Sequence, residues 1–436
     1  MPSASSPPTA SATAALARRC AYTVLRRVFE QGAYADRALQ AEAGALDPRD
    51  RALAMRLAYG AIQRKGTLDH LIEQLADRPL AALDPPLLAA LRLGLYELLY
   101  LSGAPDYAVV GEAVELAKTH GRAGHGLVNA VLRRATREGP AALLAALSDD
   151  TPVHAAIKHS HPEWLVDLWW QALGAEAARA LMAYDNEPGE VALRANTLVS
   201  DAATLAAQLP VRTHTDPQLP EAVVLEEAFD AHASELWQQG AFLAQSRAAM
   251  LVARTLEPLP GERVLDLCAA PGGKSTHLAA LMDGRGEVRA VERNRHRAGS
   301  LEHTARRLHA SNVRVERADA ELPRSDGPVY DRVLVDPPCS GLGTLQARAD
   351  LRWRVTPDAI DQMARTQSKI LAAGAGALRP GGVLVYSTCT ISATENEHLI
   401  AAFLDSHSDF ALDHVALTRP DRDRTAGFYI ARLRKS

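Results

Sequence analysis

A chain of 436 residues is too long for one ordinary core, and its length suggests about three domains. With 47% hydrophobic and 23% charged residues it has the composition of a soluble globular protein, and a net charge of −4 excludes a polycation that coats nucleic acid indiscriminately. Four cysteines in such a length form no disulfide framework and point to reduced thiols in a cytoplasmic protein, while Arg92 and Glu97 interrupt the apolar run that comes nearest to membrane-spanning length.

Residues 1–14, rich in Ser, Ala, Thr and Pro, predict a disordered tail without the basic start or apolar stretch of a signal peptide. From 15 to 145 the pattern is helical. Asp47-Pro48 and Asp84-Pro85 pair an N-cap with a first-turn proline, and Leu87–Tyr100 is apolar on nearly every side, as a helix buried in a bundle must be. Arg133, Arg134 and Arg137 close this region, facing either phosphate or solvent. Residues 151–236 predict a small α+β module: an aromatic helix with Trp164, Trp169 and Trp170 as core residues, then the strand-like Val191–Asn196 and proline-rich loops.

From 237 to 436 short apolar strands (Val264–Leu267, Glu287–Val291, Val313–Arg317, Arg332–Val335, Val383–Tyr386) alternate with helical segments such as Arg295–His309 and Asp358–Leu378. That rhythm specifies an α/β domain with a largely parallel sheet, whose ligands bind beyond the carboxyl ends of the strands.

The first of these strands runs into Asp266-Leu-Cys-Ala-Ala-Pro-Gly-Gly-Lys-Ser275, where Gly272 and Gly273 allow close backbone approach at a helix start. A phosphate-binding Walker loop is excluded because it needs glycine where Cys268 stands. Glu292 after the second strand is placed to accept from ribose hydroxyls, and Asp319 after the third to bond an adenine amino group, which together predict a nucleoside cofactor. Asp336-Pro-Pro-Cys-Ser340 follows the fourth strand and Ser387-Thr-Cys-Thr390 the fifth.

Two cysteines at such strand ends suit nucleophilic attack on cytosine. A thiolate adding at C6 makes an enamine whose C5 can take a methyl group, and Asp336 would hold the base edge and favour protonation at N3. A thiol of pKa about 8.5 is only about 3% ionised at pH 7, so charged neighbours or a helix N-terminus must favour the thiolate. Ser392 and Glu395 make the S-x-x-E capping-box pattern and predict a helix start just after Cys389. The residues alone leave Cys339 and Cys389 tied as nucleophile.

These motifs resemble the Sun/Fmu (RsmB-type) bacterial 16S rRNA cytosine-C5 methyltransferases of the NOL1/NOP2/Sun group, with Leu265–Lys274, Asp336–Ser340 and Ser387–Thr390 in the family's order and Gly427-Phe-Tyr-Ile430 similar to its last strand. The helical region is similar to NusB through Leu93–Tyr96, Glu112–Glu115 and Gly126–Arg133, and Ser160–Trp164 with Leu193–Asn196 resemble the family's middle RNA-binding module. The resemblance implies an all-α NusB-like RNA-binding bundle (15–145), a small α+β RNA-binding module (151–236) and a class I, Rossmann-like methyltransferase domain (237–436). It implies S-adenosyl-L-methionine bound by Cys268, Ala269, Ala270, Pro271, Gly272, Gly273, Lys274, Glu292, Asp319 and Asp336. Cys389 is then the nucleophile, Cys339 assists product release, and the target is cytosine 967 of 16S rRNA.

Further expectations are a monomer with no metal and no membrane partner. The alternatives are a tRNA or other rRNA cytosine-C5 methyltransferase, and a non-catalytic RNA-binding or antitermination factor. Two segments depart from the family pattern, Ala244-Gln-Ser-Arg247 and Ala347-Arg-Ala-Asp350. Near the second, Arg348, Arg352 and Arg354 with Trp353 suggest either an RNA-facing strip or a solvated loop with one buried tryptophan.

Overall fold

The structure, a computed structural model, describes residues 10–119 and 123–436, with side chains from residue 15. Residues 1–9 of the expected tail lie outside the described residues, and the first helix, Ala10–Gln31, begins within the remainder of it. Asp47 accepts from the Asp50 amide at 2.8 Å and Pro48 occupies the first helical position, so the predicted start of helix Pro48–Gln63 is the one found. Helix Pro85–Tyr100 is buried over most of its length. Its two charges are neutralised inside the bundle, Arg92 by a two-pronged bond to Asp69 (2.6 and 2.8 Å) and Glu97 by Arg18. Gly94 permits close packing here: a Cβ at this position would lie 2.7 Å from Leu132 and 3.0 Å from Ala113, which stand on two neighbouring helices.

Two compact units emerge. The first comprises residues 1–187 together with 345–354, and the second residues 188–344 with 355–436. In the first unit, helices Pro152–His159, Glu163–Leu173 and Ala175–Tyr184 follow the bundle. Trp169 is fully buried there, as expected of a core residue, while Trp164 and Trp170 are half-buried and Trp170 lies under the Arg179 guanidinium at 5.2 Å.

Segment 345–354 corrects the reading of an RNA-facing strip. Arg352 is fully buried and donates to the carbonyls of Ser160 (3.1 Å) and Asp185 (3.1 Å) and to Asn186 Oδ1 (3.0 Å). Trp353 donates to the Ile62 carbonyl at 2.7 Å, and Arg354 to the Ala33 and Gly32 carbonyls. Oxygens of the helical unit thus accept from all three side chains; among the arginines of the segment Arg348 remains exposed.

The second unit holds two sheets. The smaller is antiparallel and contains β1 (Ala192–Ala195), β2 (Thr213–Asp216), β3 (Leu219–Leu225) and β4 (Phe242–Ala244) in the order β2-β3-β1-β4. The larger contains β5 (Arg263–Leu267), β6 (Glu287–Val291), β7 (Val313–Glu316), β8 (Tyr330–Val335), β9 (Leu378–Thr388), β10 (Phe410–Thr418) and β11 (Phe428–Lys435). Its order is β10-β11-β9-β8-β5-β6-β7, parallel from β9 through β7, with β10 and β11 added antiparallel. Helices Gly273–Leu281, Arg295–Arg307 and Pro357–Ala377 connect the parallel strands. The fold is thus helical, then α+β, then α/β, as the sequence predicts.

Replacing Gly94 by valine is expected to overpack the junction of three helices and destabilise the protein by about 1–3 kcal/mol, despite valine's better helix propensity. Thermal unfolding of the full chain measures this, and an unchanged or raised midpoint would contradict the packing argument.

Candidate functional site

The parallel strands share one register. Leu267 pairs with Val291 on one side and Val335 on the other, Val291 pairs with Glu316, and Val335 pairs with Tyr386. The residues immediately after four of these are Cys268, Glu292, Asp336 and Ser387. The sheet therefore brings four segments singled out in the sequence to one edge.

At β5 the chain turns sharply. Cys268 has φ of 65° and Gly272 φ of 104°, and a Cβ on Gly272 would lie 2.6 Å from Leu301, so both backbone conformation and space require glycine there. The Ala269 amide donates to the Val291 carbonyl at 3.0 Å, and Arg297 holds the Ala270 carbonyl at 2.8 Å. Beyond these strand ends a pocket is lined by Cys268, Val291, Glu292, Asp319, Pro338 and Ile370. Glu292 is buried, with one oxygen accepting from the Asn294 amide at 2.8 Å; Asp319 is half-buried and accepts from the Glu321 amide at 3.1 Å. Burial, reinforced by Asp336, Asp266 and Glu292, pushes the Cys268 thiol up to about 12, which makes it an inert wall.

A second cleft is lined by Gln245, Asp266, Pro271, Lys274, Thr304 and Asp336. Lys274 Nζ donates to Asp336 Oδ2 at 2.7 Å, and Ser387 Oγ donates to Asp336 Oδ1 at 2.9 Å. Burial works against the Lys274 charge, but Asp336 and then Cys389 and Asp266 hold its pKa above the ordinary value. Cys339 and Cys389 come together with their sulfurs 3.4 Å apart, a hydrogen-bonding distance for thiols and far beyond a disulfide bond. The Cys389 carbonyl accepts from the Gly343 amide at 3.0 Å, which joins the two loops a second time.

Three contributors escaped the sequence reading. Asp266, fully buried on β5, receives a hydrogen bond from Ser275 at 2.5 Å; burial raises its pKa to about 7. Ser387 orients Asp336. Glu395 is not part of a capping box: the next helix is Glu397–Ser406, with Asn396 as its N-cap, and the Glu395 side chain turns inward to Ser340. An acidic residue among the apolar positions of Val264–Leu267 was the available signal for Asp266; the partners of Ser387 and Glu395 are too distant in the chain to leave a local one.

Arg194 supplies support from the smaller sheet. It is almost fully buried and donates to the Gly273 carbonyl (2.5 Å), Gln245 (2.5 Å) and Thr276 (2.9 Å), so it braces the helix start that carries Lys274.

Residues 253–434 match the family described as 16S rRNA methyltransferase RsmB/F, residues 15–137 the NusB family, and residues 161–232 the ferredoxin-like domain of the RsmF/B-like methyltransferases. The probable ribosomal RNA small subunit methyltransferase B of Synechocystis sp. is 36% identical over 96% of this chain and 99% of its own length. The chain belongs to the RsmB/F family. Among solved structures, PH0851 is 25% identical, with a TM-score of 0.80 over 99% of this chain and 100% of its own. NSun6 from Pyrococcus horikoshii with SFG matches at 25% identity and a TM-score of 0.58, over 63% of this chain and 98% of its own. Membership in RsmB/F makes the chain a methyltransferase and removes the reading as a non-catalytic RNA-binding factor.

Asp266 gives a pH-dependent prediction. Its pKa is raised in the folded state, so ionising it costs stability progressively as pH rises from about 4 to about 7. A tenfold change in proton affinity is worth about 1.4 kcal/mol, so Asp266→Asn should stabilise the protein at pH 8 by up to a few kcal/mol. The gain should vanish near pH 4. Thermal melts of both proteins at the two pH values check it; an equal gain at both would contradict it.

Proposed function

We propose that this member of the RsmB/F family methylates C5 of a cytosine in 16S rRNA, with S-adenosyl-L-methionine as methyl donor and Cys389 as the attacking thiol. The observation that carries the reading is the pair of sulfurs 3.4 Å apart at the ends of adjacent strands, beside the Asp336–Lys274 pair.

The pocket beyond β5, β6 and β7 fits the donor. Glu292 and Asp319 provide acceptors after two successive strands, and Val291, Pro338 and Ile370 provide apolar walls for a flat base. When bound, S-adenosyl-L-methionine supplies the methyl group. Asp336 has one oxygen on Lys274 and the other on Ser387, which fixes its plane toward the cleft. There it would hold the cytosine edge and favour protonation at N3, while the Lys274 ammonium offsets the charge of a nearby thiolate.

Attack by Cys389 on C6 forms the carbon–sulfur bond and moves an electron pair toward N3, making C5 nucleophilic. After methyl transfer the C5 proton passes to water, the C5–C6 double bond re-forms and the sulfur departs with the bonding pair. A Cys339 S–H pointed at the departing sulfur would stabilise it as a leaving thiolate. The base must leave its stack to reach the thiol. The fused NusB-like domain favours ribosomal RNA over tRNA, and we place the mark at cytosine 967.

Cys389→Ala is expected to abolish methylation and covalent adducts, whereas Cys339→Ala should accumulate an unresolved protein–RNA adduct on a denaturing gel. Loss of the adduct in Cys339→Ala with retention in Cys389→Ala would reverse the roles. Bisulfite mapping of 16S rRNA from a deletion strain should show one unmethylated cytosine; a site in tRNA instead would move the substrate. Glu292→Ala should weaken S-adenosyl-L-methionine binding at least tenfold by calorimetry, in line with loss of a charge-assisted hydrogen bond of about 1.5–3 kcal/mol.

A further inference from the structure

Beneath the two cysteine loops lies a buried polar cluster that the reaction scheme does not use. Glu395 is fully buried. Its Oε1 accepts from the Ser340 amide and from Gln367 Nε2, both at 2.9 Å, and its Oε2 accepts from the Ser340 hydroxyl. The same hydroxyl lies 2.6 Å from Thr390 Oγ1, so one carboxylate reaches the residue after Cys339 directly and the residue after Cys389 through one hydroxyl. Gln367 also holds the Pro338 carbonyl at 2.9 Å, and Tyr386 donates to the Glu395 carbonyl at 2.7 Å. As these bonds run, both carboxylate oxygens act as acceptors.

Cys389 interacts electrostatically with the Lys274 ammonium, and Cys339 with the Glu395 carboxylate, which binds the amide and hydroxyl of the very next residue. The other titratable groups around them are Asp336, bonded to Lys274 and Ser387, and the phenol of Tyr386, which interacts with Cys339. A negative charge held in a low-dielectric interior opposes a second one nearby.

We propose that Glu395 is a positioning residue that keeps the two sulfurs in different roles: its carboxylate pins the Cys339 turn from below and opposes ionisation there, so the thiolate forms on Cys389. The inference rests on the reading of Cys389 as the attacking thiol, and it gives that reading a physical cause within this chain. In support, Cys339 is held well above the ordinary thiol range, first by its hydrogen bond to Cys389, then by burial and by the charges of Cys389 and Glu395.

The test is alkylation of Cys339 by iodoacetamide, which reacts with the thiolate. It is followed by peptide mass spectrometry from neutral to alkaline pH, on the full chain without RNA. Cys389→Ser removes the coupled sulfur, and in that protein the midpoint for Cys339 should still lie above the ordinary value of about 8.5. Adding Glu395→Gln, which keeps the shape and removes the charge, should speed alkylation at neutral pH about tenfold, as a midpoint lower by about one pH unit requires. The rate at the alkaline plateau should stay unchanged, because a merely loosened loop would raise that plateau without moving the midpoint.

An unmoved midpoint in the folded double variant would overturn the proposal. Should the double variant fail to fold, a Cys339 midpoint at or below about 8.5 in Cys389→Ser alone would overturn it as well. The assay contains no RNA, so its failure is distinct from a failure of the adduct experiment.

Discussion

One row of paired residues, Glu316, Val291, Leu267, Val335 and Tyr386, sets where Cys268, Glu292, Asp336 and Ser387 come together. Side chains alternate along a strand, so a slip of one residue between β8 and β9 would send Asp336 and Ser387 to opposite faces and part the two sulfurs. Val333–Val335 on β8 and Val383–Thr388 on β9 are buried on both faces, so the ends that carry Asp336 and Ser387 rest on a packed interior.

Around that edge the protein spends stability on buried charge. Asp266 lines the cleft with its pKa raised to about 7, and Arg194 is held in the interior by backbone and side-chain oxygens at the start of the helix that carries Lys274. On β3, Glu221 is buried beside His277 Nε2 at 2.7 Å and Arg254 at 2.6 Å. Burial opposes its charge, yet those partners keep it below the usual carboxylate range, while burial takes His277 down to about 4. The smaller sheet therefore joins the helix that carries Lys274 through oriented polar contacts rather than through apolar packing alone.

The α/β rhythm, the strand ends and both cysteines were legible because they depend on local pattern: apolar runs of strand length, glycines at a forced turn, acids just past a strand. What stayed hidden depends on partners remote in sequence. The Ser392–Glu395 spacing reads as a helix cap, but Glu395 meets Ser340, 55 positions away, and the helix starts two residues later. Arg352 looks like a solvent-facing arginine until the carbonyls of Ser160 and Asp185 are placed around it. The tie between the sulfurs had the same origin, since Lys274 and Glu395, the groups proposed to distinguish them, lie far apart in the sequence.

The ten residues from Leu345 to Arg354 lie between two elements of the catalytic sheet domain yet belong to the helical unit. The chain therefore crosses between its compact units three times, and no single cut yields both of them intact. A fragment starting at Pro188 would carry Ala349 and Arg352 without the surroundings that bury them, and a fragment ending at Glu187 would lack the Arg352 donor to its own carbonyl at Ser160. The two units are interlocked along the sequence, so any division into two fragments separates one unit from a part of itself.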